Sequence, residues 1–159
     1  MKTILLLAII CVCSFCSAAE LSNRFAALSQ IESADNNLAR GKAGERGRFQ
    51  ESKSVFHEFN PSPCWKNFHF LTNADFALAS AQIVMVTRQL DFRKQFHRSP
   101  TDAEWYLLWH CPARVNHPSR KDKDIAQRFA NLAAKLSRGK LWATAIMILF
   151  LYATHSPLH

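Results

Sequence analysis

Glu32 is the residue whose type and position could do acid–base chemistry. It lies in the segment 30–50, QIESADNNLARGKAGERGRFQ, near the end of an amphipathic run. Gly41, Gly44 and Gly47 follow in a loop, and then Phe49 and Gln50. Leu21, Phe25 and Leu28 form an apolar stripe at spacings of four and three, and the next position on it is Glu32 itself. A carboxylate on the buried face of a helix is costly as an anion. Burial raises its pKa, and a carboxylic acid still protonated near neutral pH can serve as a general acid. The other reading ends the helix at Ile31 and leaves Glu32 exposed in the last turn.

Glycosidic bonds are normally cut by two carboxyl groups. Asp35, Glu45 and Glu51 lie near Glu32 in the chain. Asp35 would share its face if the helix continued, but Asp suits a turn better. Glu45 sits among the glycines and reads as solvated. No one of the three stands out as a second carboxylate. The histidines at 57, 69, 97, 117, 155 and 159 show no ligand spacing on one face, so no metal is expected, and no cofactor.

QIES, a glycine-bearing loop and then GRFQ resemble the glutamate-serine and glycine-leucine-methionine-glutamine motifs of lytic transglycosylases. These lysozyme-like enzymes cut the glycan strands of peptidoglycan. WYLLWHCPARV is similar to the family's third motif, an alanine-tyrosine-asparagine run followed by small residues. The likeness spans roughly 21–136. It implies that Glu32 is the one catalytic residue. Glu32 would protonate the glycosidic oxygen, then take the proton of the sugar's own C6 hydroxyl as a 1,6-anhydro ring closes. A nucleophile already on the substrate has a high effective concentration. By the same likeness Ser33 orients the glutamate, Gln50 lines the cleft, and Trp109 and His110 stand where the family has tyrosine and asparagine. Trp109 would stack on a sugar, and His110 would donate to an acetamido oxygen. The residues themselves also allow core packing for Trp109 and a loop role for His110. Phe129 falls near the family's late tyrosine, whose hydroxyl lies by the acid. Phenylalanine has none, so that hydrogen bond is expected to be missing.

Elements that would carry these residues are helices. Periodicity and end signals give helices at 22–33, 49–59 and 73–96, the last capped by Asn73, with Phe76, Ala79, Ile83, Val86 and Leu90 on one face. Pro61 and Pro63 close the second. Thr101 and Glu104 form a capping box for a helix through Trp109, and Ser119 with Asp122 a weaker one. The helix after it carries Ile125, Phe129, Leu132 and Leu136 and is expected to stop at Gly139. No alternating strand is evident. The expectation is an all-α domain, lysozyme-like by the resemblance, with at most a short β-hairpin in the loop 34–48.

The first residues, MKTILLLAIICVCSFCSAAE, read as an export signal, a positive charge, an apolar run from Ile4 to Cys16 and then small residues. The expected organisation is a signal at 1–19, the domain at 20–138 and a hydrophobic tail at 139–159. An uncleaved anchor is the rival. An exported chain would be periplasmic or secreted. Cys64 and Cys111 would then meet an oxidising compartment, either as a disulfide or as two buried thiols. The 13 residues 141–153, LWATAIMILFLYA, carry no charge and fall short of the roughly 20 that a span needs. Core packing, a membrane-surface contact and a true span all remain open for them.

Lys and Arg number 20 against 12 Asp and Glu, a formal +8. Removing Lys2 with the signal leaves 19 against 12, or +7. Such charge suits a polyanionic partner. An export signal argues against intracellular nucleic acid, and the resemblance implies peptidoglycan as the partner, bound by a monomer. The resemblance implies non-hydrolytic cleavage between N-acetylmuramic acid and N-acetylglucosamine. Its rivals are a hydrolytic muramidase, a glycan-binding domain without turnover, and a cationic membrane-active protein.

Overall fold

The computed structural model describes residues 20–60 and 67–155, the stretch from 140 onward as backbone alone. The predicted export signal, Pro61, Pro63 and Cys64 lie outside the described residues, as do the side chains of the apolar tail. Among the described residues the α-helices are α1 at 20–33, α2 (Lys53–Phe59), α3 (Ala74–Phe96), α4 (Asp102–His110) and α5 (Arg120–His155). Short 3₁₀ turns occupy Phe68–Thr72 and Pro112–Arg114. The described residues hold no strand, only isolated antiparallel bridges joining Arg40 to Arg46 and Arg46 to Glu51. The fold is all-α, as the periodicities predict.

Helix α1 runs past Ile31 to residue 33, which rules out the reading that leaves Glu32 beyond the helix. Ala34 and Asp35 then adopt left-handed φ values of 53° and 63°. The Asp35 N–H reaches back to the Ser29 carbonyl at 3.2 Å, which satisfies a carbonyl of the last turn. Phe25 and Leu28 are buried as the stripe requires.

The predicted 49–59 helix is shorter than expected. Gln50 has φ 50°, outside the helical region, so the chain turns there and pairs Glu51 with Arg46. Ser52 then caps α2, its Oγ accepting from the Val55 N–H. Gly47 is required at this turn. Its φ is 74°, and a Cβ would collide with the Leu71 carbonyl oxygen.

Helix α4 is the centre of the fold. Its capping box forms as predicted, Thr101 with Glu104. Trp105, Tyr106, Leu107, Leu108 and Trp109 are all buried, so this helix is covered on every side. Rings from α1, α5 and the glycine loop's exit meet on it. Trp105 stacks on Phe129 at 5.5 Å and meets Phe25 edge-on at 5.3 Å, and Trp109 meets Phe49 at 6.3 Å. Burial of each such side chain contributes about 1.5–3 kcal/mol. The Arg24 guanidinium pairs with Asp102 at 2.7 Å and ties α1 to the start of α4.

Helix α3 packs through a face other than the one predicted. Phe76, Ile83, Val86 and Leu90 are 40–51 % exposed. Ala77, Ser80, Ala81, Val84, Met85 and Phe92 face inward instead. Small residues let the α3 backbone approach its neighbours closely, and Ser80 finds polar partners there. Helix α5 opens with the Ser119–Asp122 box, in which Ser119 Oγ donates to Asp122 at 2.7 Å. It does not stop at Gly139, where no left-handed turn occurs and a Cβ would meet nothing. One glycine costs a helix interior only about 1 kcal/mol. The helix therefore crosses the expected domain boundary unbroken. Among the described residues no helix is long and apolar enough to cross a membrane.

Candidate active site

The end of α1, the exit of the glycine loop, the middle of α3 and the end of α4 enclose a cavity of about 450 Å³. That lies within the roughly 300–1,000 Å³ usual for ligand sites. Glu32, Glu45, Gln50, Glu51, Arg88, Trp109 and His110 stand on its wall.

Glu32 is held from α4. The Tyr106 hydroxyl donates to Glu32 Oε1 at 3.0 Å, and His110 Nδ1 lies 3.8 Å from the same oxygen. Tyr106 and His110 are four residues apart, hence on one helix face, and their rings stack at 5.5 Å. The Glu32 side chain is only 13 % exposed. Burial pushes its pKa above the ordinary carboxylate value, while the Tyr106 hydroxyl and then His110 pull it down, and Glu45 adds a push upward. The net direction is up, which favours a carboxylic acid with a proton to give. Burial, and next the charge of Glu32, hold the Tyr106 hydroxyl far above its ordinary pKa, so it remains a donor.

The hydroxyl expected to be absent is thus present, supplied from α4 and not from position 129. Phe129 is fully buried and packs against Trp105 and Tyr106 at 5.5 and 5.3 Å. It cannot touch a substrate; it braces the tyrosine that touches Glu32. Ser33 is also displaced from its expected role. Its Oγ donates to the Arg48 carbonyl at 2.7 Å, which pins the glycine loop to α1 and leaves Glu32 alone. Asp35 closes the same junction, accepting from Ser29 and lying 3.5 Å from Arg48. It is the turn residue its type suggests.

Gln50, Trp109 and His110 do line the cleft. Gln50 Nε2 donates to the Gly47 carbonyl at 2.8 Å, and Trp109 Nε1 to the Phe49 carbonyl at 3.2 Å. The first closes the loop's own turn, and the second fixes the loop against α4. Trp109 is 8 % exposed, so it presents little open ring face to the cavity.

Arg88 joins the site unforeseen, and so does the place of Glu51, one of three carboxyl groups that the sequence did not tell apart. Glu51 is 2 % exposed, and both its oxygens accept from Ser80 Oγ, at 3.0 and 2.9 Å. Burial pushes its pKa up to about 7 against the pull of Ser80 and Arg88. Arg88 Nη1 donates to the carbonyls of Leu108 and Trp109 at 2.8 and 2.9 Å, at the end of α4 where a cation is favoured. Tyr106 had a signal in the sequence, four residues before His110 on one helical face. Arg88 had none, and nothing set Glu51 apart from Asp35 and Glu45, because the meeting of Glu51 and Arg88 depends on which face of α3 turns inward. Glu45, expected in solvent, also reaches the cavity wall.

Among the described residues no three His, Cys, Asp or Glu side chains could hold a metal ion. Cys111 is a buried free thiol, and burial raises its pKa. No family model, curated protein or solved structure matches the chain.

Proposed function

We propose that this protein cleaves the β-1,4 bond between N-acetylmuramic acid and N-acetylglucosamine in peptidoglycan, with Glu32 as the general acid. The observation that carries the reading is the Glu32–Tyr106 hydrogen bond at the wall of a cleft, on a carboxyl whose pKa burial raises. The motif resemblance supplies the substrate.

Glu32 gives its proton to the O4 leaving group as the C1–O4 bond breaks. The muramic C6 oxygen then bonds to C1, and its proton passes to the Glu32 carboxylate. The net change is a 1,6-anhydro muramic end and a free O4 hydroxyl, with no water consumed. Tyr106 orients the acid, stabilises the carboxylate it becomes, and holds it for the second transfer. His110, partly exposed beside it, is placed to donate to an acetamido oxygen. Gln50 narrows the cleft. The reaction lies outside the cytoplasm, and the apolar residues 4–16 would supply the export it needs.

Digestion of purified sacculi, followed by mass analysis of the soluble fragments, tests this. Anhydro muramic ends are expected from the parent. Glu32→Gln should fold as the parent does and lose cleavage by about 10²–10⁴-fold, the usual contribution of a general acid. Retention of most of the rate would remove Glu32 from the mechanism. Sedimentation with sacculi and no released fragments would make the protein a binding module.

A further inference from the structure

The ring closure described above has no use for Glu51, yet this carboxyl stands on the wall of the same cavity as Glu32. It is held firmly. Ser80 Oγ bonds both its oxygens, and Asn60 Nδ2 donates to Ser80 Oγ at 2.9 Å, so three elements fix its position. A carboxylate has about four acceptor sites and a serine hydroxyl one proton, so Ser80 does not saturate the group. Arg88 favours its ionised form, and the other titratable groups of the cavity are Glu32, Glu45 and His110. A structural tie between loop and α3 would need neither a charge nor a place on the cavity wall. Asparagine or serine would make it without the cost of burying a carboxyl.

Resting on the reading of Glu32 as the acid, we propose that Glu51 is a second acid–base group of this cleft, which activates water. The protein then makes hydrolytic muramic ends beside anhydro ones. Glu32 gives its proton to O4 as the C1–O4 bond breaks, as before. A water oxygen bonds to C1 in place of the C6 oxygen, and the proton it loses passes to the Glu51 carboxylate. The products are a reducing muramic end and a free O4 hydroxyl, one water heavier in sum than the anhydro products. Glu51 returns its proton to solvent and Glu32 regains one. No further reagent is needed. A base whose pKa lies at about 7 is matched to work near neutral pH.

Sacculi whose existing reducing ends have been reduced beforehand provide the test. After digestion with the full chain, borodeuteride tags each new hydrolytic end and leaves each anhydro end unlabelled. The parent should release both kinds, with the tagged share rising as pH increases through about 7, because Glu51 must be ionised to take the proton. Glu51→Gln keeps an acceptor for Ser80. It should lose tagged ends by about 10²-fold or more while anhydro ends stay within about threefold, which also shows that the variant is folded. A parent that makes only anhydro ends overturns this inference and leaves the Glu32 reading intact. Equal loss of both products in Glu51→Gln, or an unchanged ratio, also overturns it. A parent that releases neither overturns both.

Discussion

Glu51 should make the stability of the folded protein fall as pH rises, whatever its part in catalysis. Its pKa stands at about 7 in the fold against an ordinary 4.5. At about 1.4 kcal/mol per pH unit, the folded protein holds this proton about 3 kcal/mol more tightly than the unfolded chain does. A raised carboxyl contributes fully below the unfolded value and loses its contribution as pH rises through the folded one. The window therefore runs from about 4.5 to 7. Between pH 5 and pH 8 most of the effect, about 2.5 kcal/mol, should disappear. Glu104 does not interfere, because its contact with Arg98 holds it at about 2, and Asp122 is held low by Ser119. Both stay ionised throughout the window.

The measurement is thermal or urea unfolding of the parent and Glu51→Gln at several pH values. Glutamine is close in shape and does not titrate. Taking the difference between the two proteins at each pH removes every other titrating group, Glu32 included. The variant should gain on the parent by about 2.5 kcal/mol from pH 5 to pH 8, or roughly 5–10 °C in Tm for a chain of this size. Parallel profiles would refute the reasoning. They would mean that water reaches the Glu51 carboxyl freely, or that Arg88 neutralises it in the fold.

Tyr106→Phe removes a bond that lowers the Glu32 pKa, so the pH at which cleavage is lost should move upward, since the acid must be protonated. An unmoved limb in the pH–rate profile would separate Tyr106 from the acid. Gly47→Ala combines a φ of 74° with a collision at the Leu71 carbonyl, and it should destabilise the fold by about 2–4 kcal/mol in urea unfolding. A loss below 1 kcal/mol would show that the loop shifts to accept the Cβ.

Local signals in the chain were reliable where a side chain bonds its own backbone. Asn73 caps α3, Thr101 and Glu104 box α4, and Ser119 with Asp122 opens α5, each within three residues of its partner. Glu32 was legible for a related reason, since one helical stripe carries it inward with Phe25 and Leu28. The backbone turn at Gln50 was not, because its left-handed φ is imposed by the Arg46–Glu51 pairing and not by its own preference. Position 129 misled in the opposite direction. A likeness of motif asked for a hydroxyl there, and only the packing of α4 on α5 reveals that Tyr106 provides it.

Helix α3 carries two stripes at helical spacing, and hydrophobicity chooses the wrong one. Phe76, Ile83, Val86 and Leu90 form the stripe that stays 40–51 % exposed, while Ala77, Ser80, Ala81, Val84, Met85 and Phe92 turn inward. The inward face brings Ser80 to Glu51 and Arg88 to the end of α4, and with them one wall of the cavity. Turning the Phe76 stripe inward would take Ser80 and Arg88 away from that wall. Glu51 would then lose the hydroxyl and the guanidinium that favour its charge. The orientation of α3 thus leaves Ile83, Val86 and Leu90 40–51 % exposed. What it gains is a buried polar cluster beside the cleft. A helix that departs from its apolar periodicity where it meets a cavity of titratable groups is most simply explained by that cavity.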